Sequence, residues 1–158
     1  MPNGGPAHPP PDSRLTLTTL GAWSLSYAQP EEALAPARSG PAPAPGPAEE
    51  APPPPLLGPG KPLALIVYLA CAPARTVRRE HLIDLLWADL EPKAAAHAMR
   101  QTIWLIRHRL GHDTVKVAAD SVRLACEMET DRDAFLGAVE ARRLEEAVEF
   151  YHGDFLPS

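Results

Sequence analysis

The sequence is short of the residues that build a disulfide or metal framework. It has two cysteines, Cys71 in "LACAP" and Cys126 in "RLACEM", so no set of bridges and no Cys-x-x-Cys pair is available. Each sits among apolar neighbours and reads as a small buried hydrophobe, which fits a reducing compartment. No apolar run approaches the roughly 20 residues that cross a bilayer. The N-terminus "MPNGGPAHPPPDSR" has neither the basic nor the apolar region of an export signal. The expectation is a cytoplasmic protein with no membrane partner.

Catalytic signatures are equally scarce. There is no serine-nucleophile elbow and no glycine-rich dinucleotide turn. "GPGKP" at residues 58–62 has the look of a phosphate loop, but Pro55 stands where the first glycine is needed and Pro62 where Ser or Thr would bind magnesium. His108 and His112 lie four apart across Gly111 without the glutamate of a zinc-protease helix, and read as surface histidines. The carboxylates are scattered along helix faces rather than grouped with a base. No enzyme activity, cofactor or metal is expected.

What the chain does have is uneven charge. The formal net charge of -5 argues against indiscriminate coating of nucleic acid. Residues 61–112, however, hold eight Lys and Arg against four Asp and Glu, whereas residues 127–158 hold nine acids against three arginines. A basic module precedes an acidic one.

Proline is concentrated as well. Seventeen of the twenty prolines fall at or before Pro62, most of them in "GGPAHPPPD" and "PARSGPAPAPGPAEEAPPPP". Such tracts bury too little apolar surface to offset their ordering entropy, so residues 1–13 read as a disordered tail and about 30–55 as a disordered insertion. Between them, "RLTLTTLGAWSLSY" alternates Leu15, Leu17 and Leu20, breaks at Gly21, and resumes with Trp23, Leu25 and Tyr27. It predicts a strand pair, marginal alone and therefore packed on the helices that follow the insertion.

Three helices are predicted next. "LALIVYLACA" begins near Pro62 and stops before Pro73. In "TVRREHLIDLLWADLEP", Thr76 serves as a cap, Leu82, Ile83, Leu86 and Trp87 recur at helical spacing, and the end falls near Pro92. Trp87 and Trp23 both read as core residues. In "KAAAHAMRQTIWLIRHRLG", Met99, Ile103, Ile106 and Leu110 form one narrow buried stripe and Gly111 supplies the stop. At about 100° per residue, His97, Gln101, Trp104 and His108 lie opposite that stripe, with Arg100 and Arg107 flanking. A hairpin follows, Val115 with Val117 and Val122 with Leu124 around "AADS", and then two short amphipathic helices, residues 131–141 and 144 to about 152.

Strand pair, three helices and hairpin make an α+β layout, that of a winged helix-turn-helix whose third helix is the recognition helix. It spans residues 14–126, and residues 127–158 begin a helical, TPR-like module.

Four pieces of sequence carry a family resemblance: "GKP" before the first helix, "REHLIDLLW" in the second, "RQ" with "RHRLG" in the third, and "GDFLP" near the end. Together they resemble the bacterial transcriptional activator family that includes the Streptomyces antibiotic regulatory proteins. The resemblance implies an OmpR/PhoB-type winged helix followed by a bacterial transcriptional activator domain, of which this chain would hold the opening helices. It also implies a nucleoid-associated protein that binds direct repeats as side-by-side protomers, or as another homo-oligomer, and recruits RNA polymerase at the "ADLEPKAAAH" connection through Asp89 and Glu91. Where family members carry a small residue and then an arginine in the recognition helix, this chain has Trp104 and Leu105.

A helix fits the major groove of double-stranded DNA, where Arg bonds guanine and Gln bonds adenine bidentately. Arg100, Gln101, Trp104, Arg107 and His108 are the expected base contacts, with Trp104 on a thymine methyl or sugar. Lys61, Arg78, Arg79 and Lys93 are expected on phosphates, and Lys116 and Arg123 in a wing reaching the minor groove. The competing reading is a protein-interaction module that acts through Trp104, Leu105 and the C-terminal helices without touching DNA.

Overall fold

In the computed structural model, which describes residues 14–28 and 56–155, apolar residues at alternate positions make the first strands. β1 (Leu15–Thr18) buries Leu15 and Leu17, and β2 (Ser24–Tyr27) buries Leu25. Trp23, expected in the core, is half-buried at the start of β2. The expected tail and the Pro/Ala insertion lie outside the described residues.

The described chain falls into two compact units, residues 14–15 with 56–128, and residues 16–28 with 129–155. The first is built around α1 (Lys61–Cys71), with Pro62 in its first turn as a preformed start. Its run "LALIVYLA" is buried nearly all round, including Leu65, Ile66 and Leu69. At roughly 1.5–3 kcal/mol for each large aliphatic side chain removed from water, this helix anchors the unit.

After a 3-10 turn at Pro73–Arg75 the chain departs from the expected helix. Residues Thr76–Arg78 form β3, and α2 (Arg79–Leu86) starts three residues after the predicted cap. Thr76 does not cap α2: it closes the 3-10 turn, and its hydroxyl donates to the Ala74 carbonyl at 3.0 Å. The reason is tertiary pairing. β4 (Val115–Val117) and β5 (Ser121–Leu124) form the predicted hairpin, and β3 adds to it antiparallel, with Thr76 opposite Arg123, Val77 opposite Val122 and Arg78 opposite Ser121, in the order β3-β5-β4. The β-branched Thr76 and Val77 suit that edge. α2 ends at Leu86, short of Pro92, because the buried Trp87 leaves helical geometry at φ -136°, ψ 32°.

α3 (Pro92–Leu110) is the longest helix among the described residues. Met99, Ile103, Ile106 and Leu110 are all buried, as their spacing predicts, and α1, α2 and β4 pack against the helix. Gly111, at φ 103°, ends it and passes the chain to β4. Cys71 and Cys126 are half-buried rather than fully buried, and burial pushes the Cys126 thiol above its ordinary pKa.

The second unit departs from the expected domain boundary. Met128–Thr130 form a strand, β6, and the sheet order is β2-β1-β6. The N-terminal strand pair thus groups with the residues after 128 instead of with the helices that follow the insertion. α4 (Asp131–Glu140) and α5 (Leu144–Phe150) form the predicted helix pair. Thr130 caps α4 by accepting from the Asp133 amide at 2.9 Å.

Two contacts hold this unit's strands to its C-terminal residues. Asp131 is buried and accepts from the Thr19 amide, the Thr19 hydroxyl, the Leu20 amide and the Arg132 amide at 2.8–2.9 Å. Leu20 bridges Phe155, and the Gly21 amide donates to the Asp154 carbonyl at 2.9 Å. Asp154 and Phe155, the described part of the "DFLP" stretch, are therefore seated on the turn at Leu20 and Gly21.

Candidate nucleic-acid interface

α3 has two chemically opposite sides. Its buried stripe faces the first unit's core, and His97, Arg100, Gln101, Trp104 and His108 are exposed on the other. Trp104 is 63% exposed. Its ring stacks on His108 one turn later, centroids 5.0 Å apart and planes 7° from parallel, so the imidazole lies over one face of an indole that is otherwise largely exposed. Leu105, paired with Trp104 in the interaction reading, is half-buried.

A cleft of about 340 Å³ runs beside this ridge. It is lined by the buried Met99 and Ile103, by Trp104 and His108, and by Arg79, Arg100, Arg107, His112 and Val117. The start of α2, the middle of α3 and β4 are thereby brought together. Arg79, expected on a phosphate, joins the α3 residues here, whereas Arg78 lines a separate groove of about 610 Å³ with Tyr68, His81 and Asp84. In that groove the Tyr68 hydroxyl and His81 Nε2 are 2.8 Å apart. Lys93 is exposed in the first turn of α3.

The structure gives Arg107 a local task. Its Nε and Nη2 both donate to the Val115 carbonyl, at 3.0 and 2.8 Å, tying α3 to β4. One edge of the guanidinium is therefore occupied, which restricts the bidentate base contact expected of it. Arg107→Ala removes a charge-assisted pair beside the buried Val115, and an expected loss of about 1.5–3 kcal/mol in urea denaturation checks this tie. Arg107→Lys, with a single donor head, restores only part of it.

Lys61 is similarly occupied. Its ammonium donates to the Leu86 carbonyl at the end of α2, lies 3.8 Å from Asp89 and sits 5.6 Å above the centroid of Trp87. In the hairpin, Lys116 and Arg123 are exposed and face each other across the register. Lys116 bonds Asp113, and that bond, together with the lysine's charge, holds the Asp113 carboxyl below its ordinary pKa. The local roles of Arg107 and Lys61 are invisible to sequence spacing, because each depends on a carbonyl that tertiary packing delivers.

Among the described residues no group of His, Cys, Asp and Glu could hold a metal ion, and no helix is long and apolar enough to cross a membrane.

No protein-family model matches the chain, and no curated protein matches it. Among solved structures, that of Mycobacterium tuberculosis EmbR in complex with a low-affinity phosphopeptide is similar, with a TM-score of 0.57 and 20% identity over 91% of this chain. The match covers 38% of the EmbR chain, so the present chain spans well under half of that protein's length. At this identity the likeness carries the fold: the described residues, with five α-helices and two small sheets, share a mixed α+β arrangement in part with EmbR.

Proposed function

We propose that residues 56–128 are a winged-helix module that binds double-stranded DNA with α3 in the major groove, and that the protein is a transcriptional regulator. The observation that carries this reading is the chemistry of α3. Its 19 residues include four Lys and Arg, two His and no Asp or Glu, and its polar side is exposed. A solvated helix on a protein of net charge -5 would be expected to mix both signs; a helix free of carboxylates can approach phosphates from either flank.

In this reading Arg100, Gln101, Trp104 and His108 reach base edges, and Arg78, Arg79 and Lys93 bind phosphates. Lys116 and Arg123 form the wing. Arg107 and Lys61 position α3 and the end of α2.

Selection from a randomised duplex pool, followed by fluorescence-anisotropy titration of the enriched and a scrambled duplex at several salt concentrations, tests the reading. The expected result is preferential binding of the enriched duplex that weakens as salt rises. Arg100→Ala and Gln101→Ala should each cost about 1–3 kcal/mol on that duplex. A pool that enriches no sequence, with equal feeble binding of all duplexes, would sink it. Protein docking is the second reading, favoured by the exposed Leu144, Val148 and Tyr151 spaced along α5 and its end.

A further inference from the structure

We propose that the cleft beside α3 is a binding site for a small aromatic anion of nucleotide size, and that its occupant displaces duplex DNA. The displacement rests on the DNA reading above; the binding does not.

The cleft joins two features that neither a bare anion nor an apolar compound would use together. One is cationic: Arg79, Arg100 and Arg107 line it with His112, and no Asp or Glu is among the described residues that do so. The other is aromatic and apolar: the Trp104–His108 stack, whose indole is largely exposed, with Met99 and Ile103 in the same lining. Inorganic phosphate would satisfy the guanidinium groups, which bind its oxygens bidentately, but would leave the indole face in water. An uncharged ring would cover the indole and leave the cations without a counter-charge. A ring joined to a phosphate uses both.

Size narrows the class. Ligand pockets commonly enclose about 300–1,000 Å³, and a cleft of about 340 Å³ lies at the lower end, room for one nucleotide and not for a dinucleotide. The orientation of Arg107 is already fixed by its two bonds to Val115, so less side-chain entropy is lost when an anion arrives.

Competition follows from geometry. In a B-form duplex the base faces are stacked on one another, so the Trp104–His108 platform has no base face to receive, whereas a free nucleotide offers one. A nucleotide seated there would cover Trp104 and neutralise Arg79 and Arg100, three of the groups assigned to the duplex.

The probe is guanosine 5′-monophosphate, titrated by calorimetry at low salt against the full chain, with guanosine and inorganic phosphate as separate ligands. Saturable binding of the monophosphate at least about tenfold tighter than either half is expected, as base stacking and charge pairing both contribute. Trp104→Ala and Arg100→Gln are each expected to weaken it about tenfold, and Arg109→Gln, on α3 but outside the cleft, to leave it unchanged. Both substituted side chains are exposed, and far-UV circular dichroism confirms that the variants fold. Absence of binding up to millimolar concentration, equal affinity for phosphate alone, or affinity unaltered in both cleft variants would each overturn the site. Anisotropy of the selected duplex then reads the competition: release by the monophosphate supports it, and a bound duplex unmoved at saturating monophosphate overturns it. Monophosphate binding that responds to the variants in a protein that binds no duplex would keep the site and discard the DNA reading.

Discussion

Asp131→Ala is expected to destabilise the unit formed by residues 16–28 and 129–155 by about 3–5 kcal/mol, which is large against the usual effect of a single substitution. The carboxylate is buried and accepts the Thr19 amide, the Thr19 hydroxyl, the Leu20 amide and the Arg132 amide. Truncation leaves the first three donors unsatisfied beside a core that includes Leu17 and Leu25, and each such group costs about 1–3 kcal/mol. Asp131→Asn is the informative companion. It keeps the shape and one acceptor oxygen but turns an amide donor toward backbone N–H groups, so an intermediate loss is expected. Urea denaturation followed by circular dichroism gives the sum. Hydrogen exchange at the Thr19 and Leu20 amides gives the location, and unchanged protection there in Asp131→Ala would contradict the assignment.

Gly21→Ala is expected to cost about 2–5 kcal/mol, from overpacking against backbone and from the positive φ. A Cβ at this position would lie 2.4 Å from the His152 carbonyl oxygen and 2.5 Å from its carbon, and Gly21 holds φ at 81°. The obstacle is main chain, so no side-chain rotation relieves it. The nearest relief is to lift His152–Gly153 off the turn, which breaks the bond from the Gly21 amide to Asp154 and the bridge between Leu20 and Phe155. A lowered thermal midpoint together with faster proteolysis after residue 150 is the expected signature. A variant with wild-type midpoint and wild-type cleavage would show that this contact contributes little.

Both positions lie where sequence patterns were least informative. Asp131 reads as one more acid at the start of an amphipathic helix, and its role depends on Thr19 and Leu20, more than a hundred residues away in the chain. Gly21 is legible as a break between two strands, but not as the seat of His152–Asp154. β3 and β6 are three residues each, too short for any periodicity to distinguish them from a loop or a helix end. What makes β3 a strand is the hairpin beyond α3, and β6 lies in a sheet with β1 at the other end of the chain.

The polar side of α3 shows the same division within the candidate interface. The stripe at 99, 103, 106 and 110 placed Gln101, Trp104 and His108 on the exposed side, because a helix repeats its own geometry every few residues. Nothing in that repeat could bring Arg79 and Val117 to the same cleft or turn Arg107 onto the Val115 carbonyl.

By itself, then, the sequence determined α1, α3, α4, α5 and the β4–β5 hairpin, together with the exposed, carboxylate-free side of α3. All of these follow from local periodicity, chain-breaking proline and glycine, and side-chain charge. The tertiary structure alone decided the two short strands, the grouping of the N-terminal strands with residues beyond 128, the cleft, and the partners of Asp131, Arg107 and Lys61. Each is a pairing between distant segments, and the hydrogen-bonding capacity of a backbone N–H or carbonyl is the same at every position, so no residue type announces which distant partner it will meet.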